Sequence, residues 1–175
     1  MTRILLSSDP ERLRETLSTY QSTATVEAEY GDAVVEGSAL TLAHHGPRSS
    51  NPPPCTRRNE RVPCQAIGVS HLDLDCLGGI FSIFGRKPAA EGFWALAGWV
   101  DINGAHKLGK ASPDLATSAN LRRLNAYWAW SEKHRVYPPR DGSVLDVSVQ
   151  VEEAEIAIAK IIDGDEELLR AGEEW

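Results

Sequence analysis

His71, Asp73 and Asp75 alternate within the segment IGVSHLDLDCLGG, residues 67–79. Residues two apart on an extended chain point to the same side, so one imidazole and two carboxylates can meet at one point. That donor set suits Mn²⁺ or Mg²⁺, or a hydrolytic Zn²⁺. His44 and His45 are adjacent and precede Gly46, so one ring can reach a metal while the other holds a neighbouring contact or a phosphate oxygen. Asp101 closes a strongly apolar run, where a carboxylate needs a partner. Four of the five histidines lie in or beside these segments, His106 among them, and only His134 stands outside. Each residue also has a simpler reading. Asp73 or Asp75 can cap the following helix, and Asp101 can belong to a turn with Asn103-Gly104.

The elements around these residues place them at strand ends. Ala66 to Val69 reads as a buried strand, and Leu77, Ile80, Phe81 and Phe84 recur at helical spacing behind it. The triad therefore sits where a strand gives way to a helix, the position at which open α/β sheets carry their chemistry. Upstream, Arg3 to Ser8 reads as a strand. Asp9-Pro10 starts a helix to about Tyr20, and Thr23 to Tyr30 reads as one strand ending in the turn Gly31-Asp32. Ala33–Glu36 and Ala39–Ala43 read as two more strands. Pro47 to Pro63 contains Asn51-Pro52-Pro53-Pro54 and is neither helix nor central strand.

Downstream, Ala90 to Val100 reads as a buried helix. Ser112-Pro113 opens a helix to about His134, with Leu121, Leu124 and Trp128 on one face. Val144 to Val151 fits both periods; helix is favoured because the three-and-four spacing continues to Ile161. A last short helix follows Asp163-Gly164-Asp165. The expected fold is a single α/β domain over residues 1–175. It has a central mixed or mostly parallel sheet, flanking helices and a helical C-terminal part. The metal-site core occupies about 1–110 and the mainly helical part 111–175.

The chain is 175 residues long with a net charge of −7, which argues against an extended nucleic-acid-binding face. Charge is uneven. Arg48, Arg57, Arg58 and Arg61 oppose only Glu60 between His45 and Pro63, so this loop could receive an anion. From Glu152 onward acids dominate. No apolar run reaches the ~18 residues of a membrane span, and the N-terminal run is short for a signal peptide. Cys55, Cys64 and Cys76 cannot all pair, so a cytoplasmic setting with reduced thiols is expected. The eight residues between Cys55 and Cys64 do not match common zinc spacings. The aromatics Tyr127, Trp128 and Trp130 belong to the core or to a homodimer interface.

HLDLDCLGG resembles the first signature of the DHH phosphoesterase superfamily, His-x-Asp-x-Asp-Gly followed by small residues opening a helix. Residues 42–47, LAHHGP, look like its Asp-His-His signature, with Ala43 at the Asp position. Residues 97–104, AGWVDING, look like the Asp segment that precedes Asn-Gly in a metal-hydrolase branch of that superfamily. The order of the first two motifs is reversed here, and Cys76 stands at the signature glycine. The resemblance spans about residues 33 to 110.

It implies Mn²⁺ held by His71, Asp73, Asp75, His44 and Asp101, with His44, His45 and Asp101 as catalytic groups. Arg48, Arg57, Arg58, Arg61 and His106 would then bind a small phosphorylated, nucleotide-like substrate, and metal-activated water would hydrolyse a phosphoester or phosphoanhydride. Two alternatives stand beside it. One is a degenerate relative that binds or regulates, favoured by Ala43 and Cys76. The other is a single-zinc hydrolase of non-phosphate substrates: His44-His45-Gly46 is also similar to the His-His-Gly of metallo-β-lactamase-fold proteins, although their His-x-His-x-Asp-His run is absent.

Overall fold

In the computed structural model, which describes residues 1–175, strand β1 (Arg3–Leu6) leads into helix α1 (Pro10–Leu17). The Asp9 carboxylate accepts hydrogen bonds from the Glu11 and Arg12 amides, and Pro10 sits in the first turn, where no amide is needed. β2 (Thr23–Val26) is followed by a hairpin of β3 (Glu29–Tyr30) and β4 (Ala33–Val34), then by β5 (Leu40–Leu42). The proline-rich loop holds two 3-10 turns, Gly46–Arg48 and Pro54–Thr56. Next come β6 (Ala66–Val69), α2 (Leu74–Phe84) and α3 (Glu91–Asn103). A 3-10 segment (Ala105–Lys110) precedes α4 (Ser118–His134), β7 (Leu145–Asp146), α5 (Ser148–Ile162) and α6 (Glu166–Glu174). No helix is long and apolar enough to cross a membrane.

The main sheet has the order β5-β2-β6-β1-β7. Its first four strands are parallel, and β7 runs antiparallel on the edge. Parallel strands share one carboxyl edge, so the residues just after Val26, Leu42 and Val69 come together there. Alternation along the strands sorts the two faces. Ile4, Leu6, Ala24, Val26, Ile67 and Val69 join the main core with Phe81, Trp94, Leu124, Ile158 and Leu169. Residues before and after 110 therefore share one core. Leu5 and Ala66 face the other way and pack with Leu13 and Leu17 of α1. Gly68 permits that contact, since a Cβ there would stand 2.8 Å from a Leu17 methyl.

Three elements differ from the sequence expectation. Thr23 to Tyr30 is not one strand: it breaks after Val26 because Glu27 adopts φ 51°, the only positive φ outside glycine in the chain. The helix expected from Ser112 begins at Ser118. Its cap is Thr117, whose hydroxyl accepts from the Asn120 amide, while Ser112 closes a separate turn through Leu115 and Ala116. Residues 144–151 satisfy both periods in turn. Leu145 and Asp146 pair with β1, and α5 starts at Ser148, whose amide binds the Asp146 carboxylate.

Candidate metal centre

Three parallel strands deliver the site. Glu27 directly follows β2, His44 and His45 follow β5, and His71 follows β6. The first turn of α2 adds Asp75, its cap adds Asp73, and the last turn of α3 adds Asp101. Glu27 lies at the centre, with its side chain wholly buried. Its Oε1 is 2.5 Å from His44 Nε2 and 3.5 Å from His45 Nε2, whereas its Oε2 is 3.1 Å from His71 Nε2. Ligand atoms of Glu27, His44, His45 and Asp101 lie within 4.8 Å of one another, and so do those of Glu27, His71 and Asp73. Each group could hold a divalent cation, and Glu27 belongs to both.

The hydrogen-bond count leaves the cluster short of donors. His44 Nε2 stands 2.5 Å from Glu27, 3.0 Å from Asp101 and 3.1 Å from Asp75, yet one ring nitrogen carries at most one proton. Its aligned partner is Asp75 Oδ2. Both Glu27 carboxylate oxygens and Asp101 Oδ2 are buried without a well-aligned hydrogen-bond donor. Buried carboxylate oxygens without donors cost several kcal/mol unless a cation meets them, by order of magnitude.

The other oxygens are spoken for and fix the geometry. Asp73 splits its roles: Oδ1 accepts from the Cys76 amide as the helix cap, and Oδ2 lies 3.2 Å from His71. Asp75 Oδ1 accepts from the Cys55 amide at 2.9 Å, which ties the proline-rich loop to the cluster. That loop sits close because α2 carries glycines beneath it; a Cβ on Gly78 would stand 2.5 Å from the Cys55 Cβ. Glu29 holds the histidine pair from behind, accepting from the His44 and His45 amides and from the Arg48 guanidinium.

Burial disfavours a charged His44, but Asp101, Asp75 and Glu27 outweigh it and push its pKa up to about 12. Burial likewise opposes protonation of His71, whose pKa Asp73 and Glu27 raise to about 10. Against its own burial, Glu27 is kept ionised below the usual carboxylate range by His44 and His71. Burial together with Glu27 raises Asp75. Without a metal, then, the histidines carry the protons that balance the carboxylates. Thiols take no part: burial pushes Cys55 and Cys76 far up, and Cys55 donates to the Trp94 carbonyl.

The structure thus brings together His44, His45, His71, Asp73, Asp75 and Asp101. It does not bring the other arginines of the loop, or His106, to them. Arg48 is engaged with Glu29. Arg57 pairs with Glu60, and Arg58 with Glu91 at an exposed surface. Arg61 packs its stem on Gly85, and His106 lies over Gly104. The physical reason is local: each cation finds a partner or cover near its own backbone. Glu27, the shared carboxylate, escapes sequence reasoning because it lies inside a run that reads as continuous strand. Its signal is a charged residue at i, i+2 from Glu29 in an otherwise apolar, β-branched segment.

Beside the cluster lies a cavity of about 260 Å³. Asp73, Asp75 and Asp101 form one end, and Tyr127, Ser131 and Arg135 from α4 and its C-terminus form part of the lining. Comparison with protein-family models, curated proteins and solved structures finds no match for this chain.

Proposed function

We propose that this protein is a divalent-metal-dependent hydrolase of small phosphoesters or phosphoanhydrides, working in the cytoplasm, where its three unpaired thiols stay reduced. The observation that carries the reading is Glu27: two buried oxygens without aligned donors, each turned to a different set of histidine and aspartate ligands. A carboxylate so placed would bridge two cations. The DHH-like pattern of His71, Asp73, Asp75 and His44-His45 supports the same reading. Glu27 lies just past the Val26–Leu42 pair and so offers a carboxylate where the Asp expected before His44 is Ala43. Oxygen and imidazole donors without thiolate favour Mn²⁺, with Mg²⁺ and Zn²⁺ as the alternatives.

Bound cations of this kind lower the pKa of a water and neutralise phosphate oxygens. The chain's own residues do the rest. Glu27, His44 and Asp101 would form the deep ligand set, with Asp75 hydrogen-bonded to His44 beside them, and Glu27, His71 and Asp73 the shallower one. The His45 side chain is 46% exposed and lies 3.8 Å from Asp101, so it can reach a substrate oxygen and orient it or give it a proton. Arg48 positions His44 and His45 through Glu29 and does not touch substrate.

Metal content and a manganese-stimulated phosphatase and phosphodiesterase screen test the proposal. Two ions per chain and a metal-dependent activity lost in Asp73→Asn are expected. A chain that takes up no metal, and whose behaviour is unchanged in Asp73→Asn and His71→Ala, would overturn it.

A further inference from the structure

Arg135 differs from the other arginines of the chain's interior. It is the first residue after α4, and its backbone amide donates to the Ser131 carbonyl, closing the helix. Its side chain lines the cavity that Asp73, Asp75 and Asp101 open onto. Despite those carboxylates, it forms no ion pair, and its Nε is buried with no hydrogen-bond partner. The Arg135 guanidinium lies over the Tyr137 ring, with the ring centre 5.0 Å from Cζ. A planar fork without an acceptor, lining a cavity beside the candidate cation site, fits an anion that touches both. Ser131 lines the same cavity and can add a hydroxyl donor.

The rest of the lining is apolar: Leu74, Ala97, Val100, Leu124 and Trp128. At about 260 Å³ the space is just below the roughly 300–1,000 Å³ of usual small-molecule sites, enough for one ring and one phosphate. We infer that this cavity is the substrate site, and that Arg135 and Ser131 hold a phosphate oxygen against the metal cluster while an aromatic or other flat apolar group lies on Val100 and Trp128. The substrate class is therefore a small aryl- or base-bearing phosphate ester. This rests on the hydrolase reading and adds its substrate.

The test is titration calorimetry on the full chain with Mn²⁺, using inorganic phosphate and phenylphosphonate, which cannot be hydrolysed at its C–P bond. Metal content is measured on the same samples. Phenylphosphonate should bind at least several-fold more tightly than phosphate. Arg135→Gln should weaken both by about 10- to 100-fold, the scale of a lost charge-assisted hydrogen-bond pair, at unchanged metal content. Arg135→Lys, which keeps the charge and loses the fork, should fall between, and it carries the test if Arg135→Gln does not fold. Trp128→Leu should erase the preference for phenylphosphonate.

Equal binding by wild type and either Arg135 variant, or no preference for phenylphosphonate, overturns the inference while leaving metal uptake to judge the hydrolase reading. If the chain takes up no metal, the hydrolase reading fails, and the same titrations on the metal-free chain decide the subsite. Arg135-dependent binding there upholds it, and no anion binding overturns it.

Discussion

The two ligand sets that meet at Glu27 differ in depth. On one side, the His44 and Asp101 side chains are 3% and 16% exposed, and Asp75 behind His44 is 1% exposed; only His45, at 46%, reaches outward. On the other, His71 and Asp73 are 31% and 28% exposed. The deep set is enclosed by strand ends, the first turn of α2 and the Cys55 loop; the shallow set looks outward past the helix cap. A low-dielectric, pre-arranged set of carboxylates binds a cation tightly and releases it slowly, whereas a solvated set exchanges more freely. On the two-metal proposal, Glu27 would join a tightly held ion to a more exchangeable one. The cavity touches both halves, at Asp73 on the shallow side and at Asp75 and Asp101 on the deep one.

The most severe way to break this comparison is Glu27→Gln, because it removes the shared ligand. Both halves should lose metal, and any metal-dependent activity should fall by more than the about 10- to 100-fold typical of losing an outer partner. Retention of two ions at wild-type affinity would show that Glu27 bridges nothing. Next in size is the contrast between His44→Ala and His71→Ala. Calorimetry should show that His44→Ala loses the tight ion, and that His71→Ala keeps it and loses only the weaker one. Equal losses in the two variants would remove the distinction between deep and shallow.

A pH series sharpens the same point. His44 and His71 have folded-state pKa values raised to about 12 and about 10, against an ordinary value near 6.5. Their stabilisation of the metal-free protein is complete below about pH 6.5 and is lost as pH rises through the raised values. The metal-free melting temperature should therefore fall between pH 7 and 10. Metal binding needs the same rings deprotonated, so it should release protons and strengthen with pH. Calorimetry in buffers of different ionisation enthalpy counts those protons; none released would contradict the assignment.

Smaller effects come from the supports. Gly78→Ala puts a Cβ into the Cys55 loop and should cost about 1–3 kcal/mol of stability, the range for overpacking. It should loosen the deep ion more than the shallow one, because Asp75 loses its Cys55 amide; chemical denaturation and metal titration read the two effects. Smallest of all is Arg58→Gln, which removes a surface pair of residues that are 80% and 75% exposed. It should leave stability, metal content and turnover at wild-type values.

Much of this site was legible before any coordinates. Alternation of His71, Asp73 and Asp75 after an apolar strand placed them at a strand-to-helix junction, and that is where they lie. His44-His45 after a strand and Asp101 at the end of an apolar helix converge on them. Asp73 proved to be both cap and cluster member, because its two oxygens serve different partners. Glu27 stayed hidden because period-two patterning does not reveal a left-handed residue that ends a strand. The arginine loop misled for a related reason: like charges close in sequence suggest a shared target, but each side chain was captured by a neighbour.

The residues alone determined the α/β class, the strand-end position of the triad and the chemical kind of the donors, since periodicity and side-chain chemistry are local properties. Tertiary structure decided which carboxylate sits between the two sets, which histidine is deep and which shallow, and which arginine faces the cavity. Those depend on how β2, β5 and β6 lie side by side and on α4 packing against α3 and α5 beside the site. Such neighbours are far apart in the chain, and only the folded sheet brings them within reach of one another.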